Sequence, residues 1–414
     1  MHDSSMNIDR VNAKPHNKKM LVVYLISSPL TDRDFNRFGV GHWIDKGFNV
    51  KVLDFTMLLK PKYWKHFSSD SLSSSFNDVV MIKSIRMMKQ FLKNYDDDCI
   101  FIDLIDDFSY LEFKIRSIIK KRGTLIQLRM KMFPTYDDTT ETGIRRYLLK
   151  FKRVFSDPSM INKKISAIIR QYLQIVSDYL IVSGGSSPIN TNHSKADSII
   201  RVHSFDYDYV LKDKTPNGKL NNSTGILFLD TFAPFHPDKI YSSRKGGGLT
   251  PGNYYSAINK GLFSLQKELG YDVLIAAHPR SDYNNQNVKC YSFPNVKDET
   301  YQLIKQSHIV VSHVSLSLHW AIVMYKPVIL VTTDEFVDHN AKLVHIIANA
   351  LGKKVINLDH IPDNINWGSL LSIDKIKYST YINKYIRDPH VPEKMVWDIV
   401  IDRIESDFVG LTKR

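Results

Sequence analysis

Residues 272–280 read DVLIAAHPR. A short apolar run ends in a His-Pro-Arg turn, the pattern of a buried strand that delivers polar side chains at its carboxyl end. Just upstream, residues 254–269 carry a helical pattern that Gly270 stops as a C-terminal cap. Further upstream, GILFLD at 225–230 repeats the strand form. Downstream come a short helix at 299–306, a strand at 309–312, a helix at 317–325, a strand at 327–332, a helix at 340–351 capped by Gly352, and a strand at 354–358. Strands alternating with helices predict a parallel sheet covered on both faces.

The first half of the chain repeats this logic. MLVVYLI at 20–26 reads as a buried strand ending at Ser27-Ser28-Pro29, with a helix over 37–46 and a strand over 48–55. Further strands are expected at 99–104, 124–128, 179–183 and 199–203. The polar stretch LKDKTPNGKLNNS at 211–223 reads as a linker. The sequence therefore predicts an α/β protein of two doubly wound, Rossmann-like domains facing a cleft. A loose tail spans 1–19, an N-terminal Rossmann-like domain 20–210, a C-terminal Rossmann-like domain 224–390, and an amphipathic terminal helix 391–414 that packs back on the first domain. Ligands of such sheets bind off the carboxyl ends of the strands, so the chemistry is expected in the cleft.

Composition narrows the function. A length of 414 residues suits two or three domains. A chain 43% hydrophobic, 24% charged and 11% aromatic is globular, not disordered or fibrous. Two cysteines, Cys99 and Cys290, exclude a disulfide scaffold and a CxxC zinc site, and suit a reducing cytoplasm. No apolar run approaches the ~20 residues of a spanning helix, and the first residues lack an apolar signal core. The expectation is a protein kept inside the cell. Fifty-six Lys and Arg against 43 Asp and Glu leave +13, which calls for nucleic acid, an anionic membrane face, phosphorylated substrates, or simply a Lys-rich surface. No RRM, helix-turn-helix or zinc-finger pattern stands in the sequence, so no nucleic-acid partner is expected. The basic run 143–174, with interleaved aromatic and aliphatic residues, is a candidate for peripheral contact with an anionic membrane, against the plainer reading of a core-facing helix with a solvated basic face.

Four motifs could carry chemistry. His278 and Arg280 follow a strand, and Pro279 fixes their turn; imidazole and guanidinium both suit phosphate. VSHVSLSLH at 311–319 is a strand, a hydroxyl-rich turn and a helix, where Ser315 and Ser317, with His313, would meet an anion at a helix end. LDTFAPFHPD at 229–238 places Asp230 at a strand end and His236 and Asp238 on a Pro-constrained loop; Asp230 and His236 are candidates for acid–base work and Asp238 for substrate binding. The loop 27–41 offers Asp32 as a second catalytic carboxylate, and Gly39 and Gly41 for close approach of a sugar. Gly246-Gly247-Gly248 is a candidate lid. The plain alternative for each is turn or helix capping. Neither a GxGxxG fingerprint nor a P-loop occurs.

The segments LD…P…HPD, AAHPR and SHVSLS resemble GT-B glycosyltransferases. The likeness is greatest to bacterial enzymes of capsule and lipopolysaccharide synthesis that transfer sialic acid, pseudaminic acid or Kdo from CMP-sugars, and it covers about residues 224–333. The resemblance implies that His278 binds the nucleotide phosphate and that Ser315 and Ser317 hold the same group. It implies a nucleotide-sugar donor, a glycan or lipid-linked acceptor, and no cofactor. The acidic triplet that supplies the base in several sialyltransferase families is missing, which leaves Asp230 as first choice and Asp32 as second. No DxD motif stands in a metal-binding loop, since Asp96-Asp97-Asp98 precedes a strand, so no metal is expected. A GT-B nucleotide-sugar 2-epimerase and a non-catalytic sugar-phosphate binder are the rival readings.

Overall fold

The computed structural model describes residues 20–66, 76–95, 99–105, 110–130, 133–134, 175–184, 196–213, 225–236, 240, 249–336 and 339–412. Strand β1 (Leu21–Ile26) has all six residues buried. Alternate side chains enter two cores: Leu21, Val23 and Leu25 join Leu53 and Phe101, while Val22, Tyr24 and Ile26 join Trp43 and Trp397. A strand buried on both faces needs an unbroken apolar run, which is why MLVVYLI does not alternate.

Around β1 stand β2 (Asn49–Asp54), β3 (Val79–Met81), β4 (Cys99–Leu104), β5 (Gly123–Met130), β6 (Ser177–Ser183) and β7 (Ala196–Val202). They form one parallel sheet in the order β3-β2-β1-β4-β5-β6-β7. Helices α1 (Asp32–Arg37), α2 (Val40–Asp45), α3 (Thr56–Leu59), α4 (Pro61–His66), α5 (Ile85–Leu92) and α6 (Tyr110–Ile119) accompany it. The second sheet comprises β8 (Ile226–Leu229), β9 (Val273–Ala277), β10 (Asn295–Lys297), β11 (Ile309–Ser312), β12 (Val328–Thr332) and β13 (Val355–Asn357). It is also parallel, in the order β10-β9-β8-β11-β12-β13. Both sheets carry the doubly wound order, with a switch of direction beside their first strands. The chain is thus a two-domain, Rossmann-like α/β protein of the GT-B-like class expected from its sequence.

Helix α7 (Phe205–Lys212) joins the halves. Phe205 packs into the first core and Tyr207 into the second. The expected linker therefore begins in helix, at Leu211 and Lys212, and residues 214–224 lie outside the described residues. The second half continues through α8 (Pro251–Leu269), α9 (Thr300–Gln306), α10 (Leu318–Val323), α11 (His339–Leu351), α12 (Trp367–Leu371) and α13 (Lys375–Tyr381), with a π-turn at Ile382–Ile386. Gly270, at φ 69, ends α8 in the left-handed conformation.

The chain then returns. Helix α14 (Val396–Thr412) lays Val396, Trp397, Val400, Ile401 and Ile404 on the first core, a 3.6-period stripe. The Trp397 Nε1–H donates to the Arg37 carbonyl at 3.0 Å. Gly39 makes this seat possible. It sits at φ 67, and a Cβ there would lie 2.1 Å from the Trp397 ring. Its role is to admit an indole, not a sugar, which corrects the expectation from sequence. We expect Gly39→Ala to lose about 3 kcal/mol from overlap and left-handed strain together, read as a lower urea midpoint. A midpoint equal to wild type would show that the indole does not occupy this place.

Candidate functional site

A cleft of about 950 Å³ opens between the two halves. Its second-domain wall comes from the carboxyl ends of neighbouring strands: Asp230, Thr231 and His236 after β8, His278 after β9, Asp298 to Tyr301 after β10, and Ser315 and Ser317 after β11. This is the topological switch point, where adjacent connections leave toward opposite faces and a crevice results. From the first domain come Arg33, Asn36 and Arg37 of α1, and from the junction Asp208, Tyr209 and Lys212 of α7.

The His278 Nδ1 accepts the Arg280 backbone N–H at 3.1 Å, so the ring proton of the neutral imidazole sits on Nε2. Burial, then the nearby His236, Arg33, Arg280 and Lys297, hold its pKa down to about 3. His278 is therefore a neutral N–H donor at physiological pH. His236 packs against it edge to face at 4.9 Å between ring centroids. Arg280 is not among the residues lining the cleft; its backbone N–H fixes the His278 tautomer and its charge helps to lower the His278 pKa.

Ser315 and Ser317 reach the cleft half-buried. The helix end behind them is tighter than expected. The N–H groups of Leu318, His319 and Trp320 donate to the carbonyls of Ser315, Leu316 and Ser317 at 3.0–3.1 Å, so those donors are not left for an anion. His313 turns inward, fully buried. Its Nδ1–H donates to the Val331 carbonyl at 2.7 Å, and its ring packs on Phe336 and Phe228. It is a core residue and not a phosphate ligand, because the pleat sends it away from the crevice.

Asp230 lines the cleft but is 4% exposed. Its Oδ2 accepts the Tyr283 hydroxyl at 2.5 Å. Its Oδ1 accepts the Tyr291 hydroxyl at 2.6 Å and the Phe232 N–H at 2.9 Å. Phe232 stands at φ 49, a strained setting for a bulky residue. Burial raises the Asp230 pKa, against the lowering effect of these bonds. The same burial and the Asp230 charge raise both phenols. With both oxygens engaged, Asp230 holds a strained loop in place; this corrects its reading as the base. Asp32 is exposed on the first turn of α1 and is not among the cleft-lining residues. Gly41, within α2, faces the Phe35 ring. Asp238, the glycines at 246–248, Asp96-Asp97-Asp98 and the run 143–174 lie outside the described residues.

Sequence reasoning missed most of the junction. Tyr209, Tyr301 and Trp320 form an aromatic wall with ring centroids 4.9–5.9 Å apart. The Trp320 Nε1–H donates to the Asp206 carbonyl at 2.8 Å, and Asp206 Oδ2 meets His319 Nδ1 at 3.0 Å. Asp208 is pushed up to about 7, chiefly by burial. The aromatic spacing in FDYDYVLK was the available signal, but the facing residues come from α9 and α10, over 90 positions away. Among the described residues no group of three His, Cys, Asp or Glu side chains is arranged to hold a metal ion. No helix among them is long and apolar enough to cross a membrane.

No protein-family model matches the chain, and no curated protein matches it in sequence. Solved structures align with it along most of its length. The wall teichoic acid polymerase TagF superimposes with a TM-score of 0.47 at 12% identity, over 95% of this chain and 90% of that one. A putative UDP-N-acetylglucosamine 2-epimerase from Listeria monocytogenes gives 0.45 at 10% identity, over 95% and 97%. The Methanocaldococcus jannaschii UDP-GlcNAc 2-epimerase, in complex with UDP-GlcNAc and UDP, gives 0.42 at 12% identity, over 94% and 99%. The fold assignment rests on the strand order and directions above.

Proposed function

We propose that the chain is a glycosyltransferase that moves a sugar from a nucleotide donor onto a cell-surface or lipid-linked glycan, with no cofactor besides the donor. One observation carries this reading: His278, His236, Ser315 and Ser317 converge on the switch-point crevice, facing Arg33 and Arg37 across the cleft. Donors fixed in advance around a leaving phosphate favour the state in which its charge develops. The aromatic wall of Tyr209, Tyr301 and Trp320 suits the flat faces of a nucleobase or a sugar ring. An acidic sugar, of the nonulosonic or ulosonic type carried by CMP, is the preferred donor. It adds a carboxylate to the phosphate, and the α1 arginines supply a second set of planar donors. Of these, Arg33 also pairs with Asp34 at 3.1 Å, and Arg37 stacks over Phe205 at 5.5 Å.

The test is nucleotide release from CMP-, UDP- and GDP-sugars with a panel of glycan acceptors. Acceptor-dependent release is expected, with CMP raising the melting temperature more than UMP. Donor isomerisation without acceptor would instead mark an epimerase, and binding without turnover a carrier.

A further inference from the structure

Helix α7 turns one face to the cleft. Phe205, Asp208, Tyr209 and Lys212 all line it, at the i, i+3, i+4, i+7 spacing of a single helical stripe. Two carboxylates of α7 line the cleft: Asp206, whose Oδ2 is tied to the buried His319 ring at 3.0 Å, and Asp208. The Asp208 Oδ1 accepts the backbone N–H of Val396 at 3.0 Å, which fixes the side chain, and among the described residues no donor reaches Oδ2. Asp230 offers the contrast, with three donors on its two oxygens. Asp208 also stands where the domains meet, so it faces the gap between the phosphate-binding wall and the acceptor-side domain.

We propose that Asp208 is the base that takes the proton from the acceptor hydroxyl, a role that rests on the transferase reading above. In the step, Asp208 Oδ2 accepts the hydroxyl proton while the acceptor oxygen forms its bond to the anomeric carbon of the donor sugar. The bond from that carbon to the phosphate oxygen breaks, its electron pair leaves with the nucleotide phosphate, and the proton stays on Asp208 until solvent removes it.

The charges around Asp208 are Lys212 and Asp206 on its own helix, Asp398 on α14, and Arg37 of α1 lining the same cleft. Burial, the largest influence, brings the carboxyl close to neutrality, about 7, where a base is effective at physiological pH. The same burial opposes folding. The folded chain keeps this proton at pH values where the unfolded chain has lost it, so stability falls as pH rises from about 4 to about 7.

The experiment compares wild type with Asp208→Asn, both full length, by CMP titration, nucleotide release and thermal unfolding from pH 5 to 9. The amide oxygen of Asn can still accept the Val396 N–H. The proposal expects CMP affinity within twofold of wild type, turnover at least a hundredfold lower, and loss of the acidic limb of the kcat profile. It also expects a variant that melts above wild type at pH 8, by a margin that shrinks toward pH 5. Turnover within fivefold of wild type, or lost CMP affinity, overturns the proposal and leaves the transferase reading standing. A wild type that releases no nucleotide from any donor with any acceptor removes both.

Discussion

Asp230→Ala is expected to lose about 2–4 kcal/mol of stability. Three donors lose their acceptor at once: the hydroxyls of Tyr283 and Tyr291 and the N–H of Phe232. Phe232, at φ 49, is also released from the bond that holds its strained backbone. Asp230→Asn should lose less than half as much. Its carbonyl still accepts, and its amide can donate to whichever tyrosine turns its hydroxyl. Urea unfolding of the two variants measures this directly. Equal midpoints for Ala and wild type would show that the tyrosines do not depend on the carboxylate.

His278→Ala should lower kcat/KM for the nucleotide-sugar donor by about a hundred- to a thousandfold, the effect of removing one well-placed donor beside a developing anion. The ring is neutral, with its pKa near 3 in the free protein, so the ratio of wild type to variant should be the same at pH 6 and pH 8. A ratio that grows toward pH 6 would mean that the imidazolium does the binding. His278→Gln, which keeps an N–H donor, should recover part of the loss. An unchanged kcat/KM in His278→Ala would remove this residue from the phosphate site.

The strands were legible because their burial on both faces leaves only one kind of sequence. CIFIDL at Cys99–Leu104 and IVVS at Ile309–Ser312 occupy the expected positions. The edge strands Val79–Met81 and Asn295–Lys297 were not legible, being three residues long and partly exposed. The carboxyl ends of β8, β9 and β11 could be found because a strand's direction follows from its connections. What stood at those ends was harder to assign. The sequence marks Asp230 and His313 as polar residues beside the crevice, but only packing turns one into a clamp for tyrosines and the other into core. Helix α7 was hidden for another reason. FDYDYVLK is short, charged and followed by a polar stretch, so nothing local shows that its face closes the cleft.

The chain passes between the halves twice, and the two passages are bonded to each other. Ser204 donates its N–H to the Ile386 carbonyl at 2.8 Å, the His203 ring lies between the Pro392 carbonyl at 2.9 Å and the Asp388 N–H at 3.2 Å, and Asp208 takes the Val396 N–H at 3.0 Å. Two covers sewn to one spine can swing apart, but they resist twisting and sliding past one another. Each swing would widen or narrow the gap between Arg37 and His278 while leaving Asp208, stitched into the spine itself, nearly still.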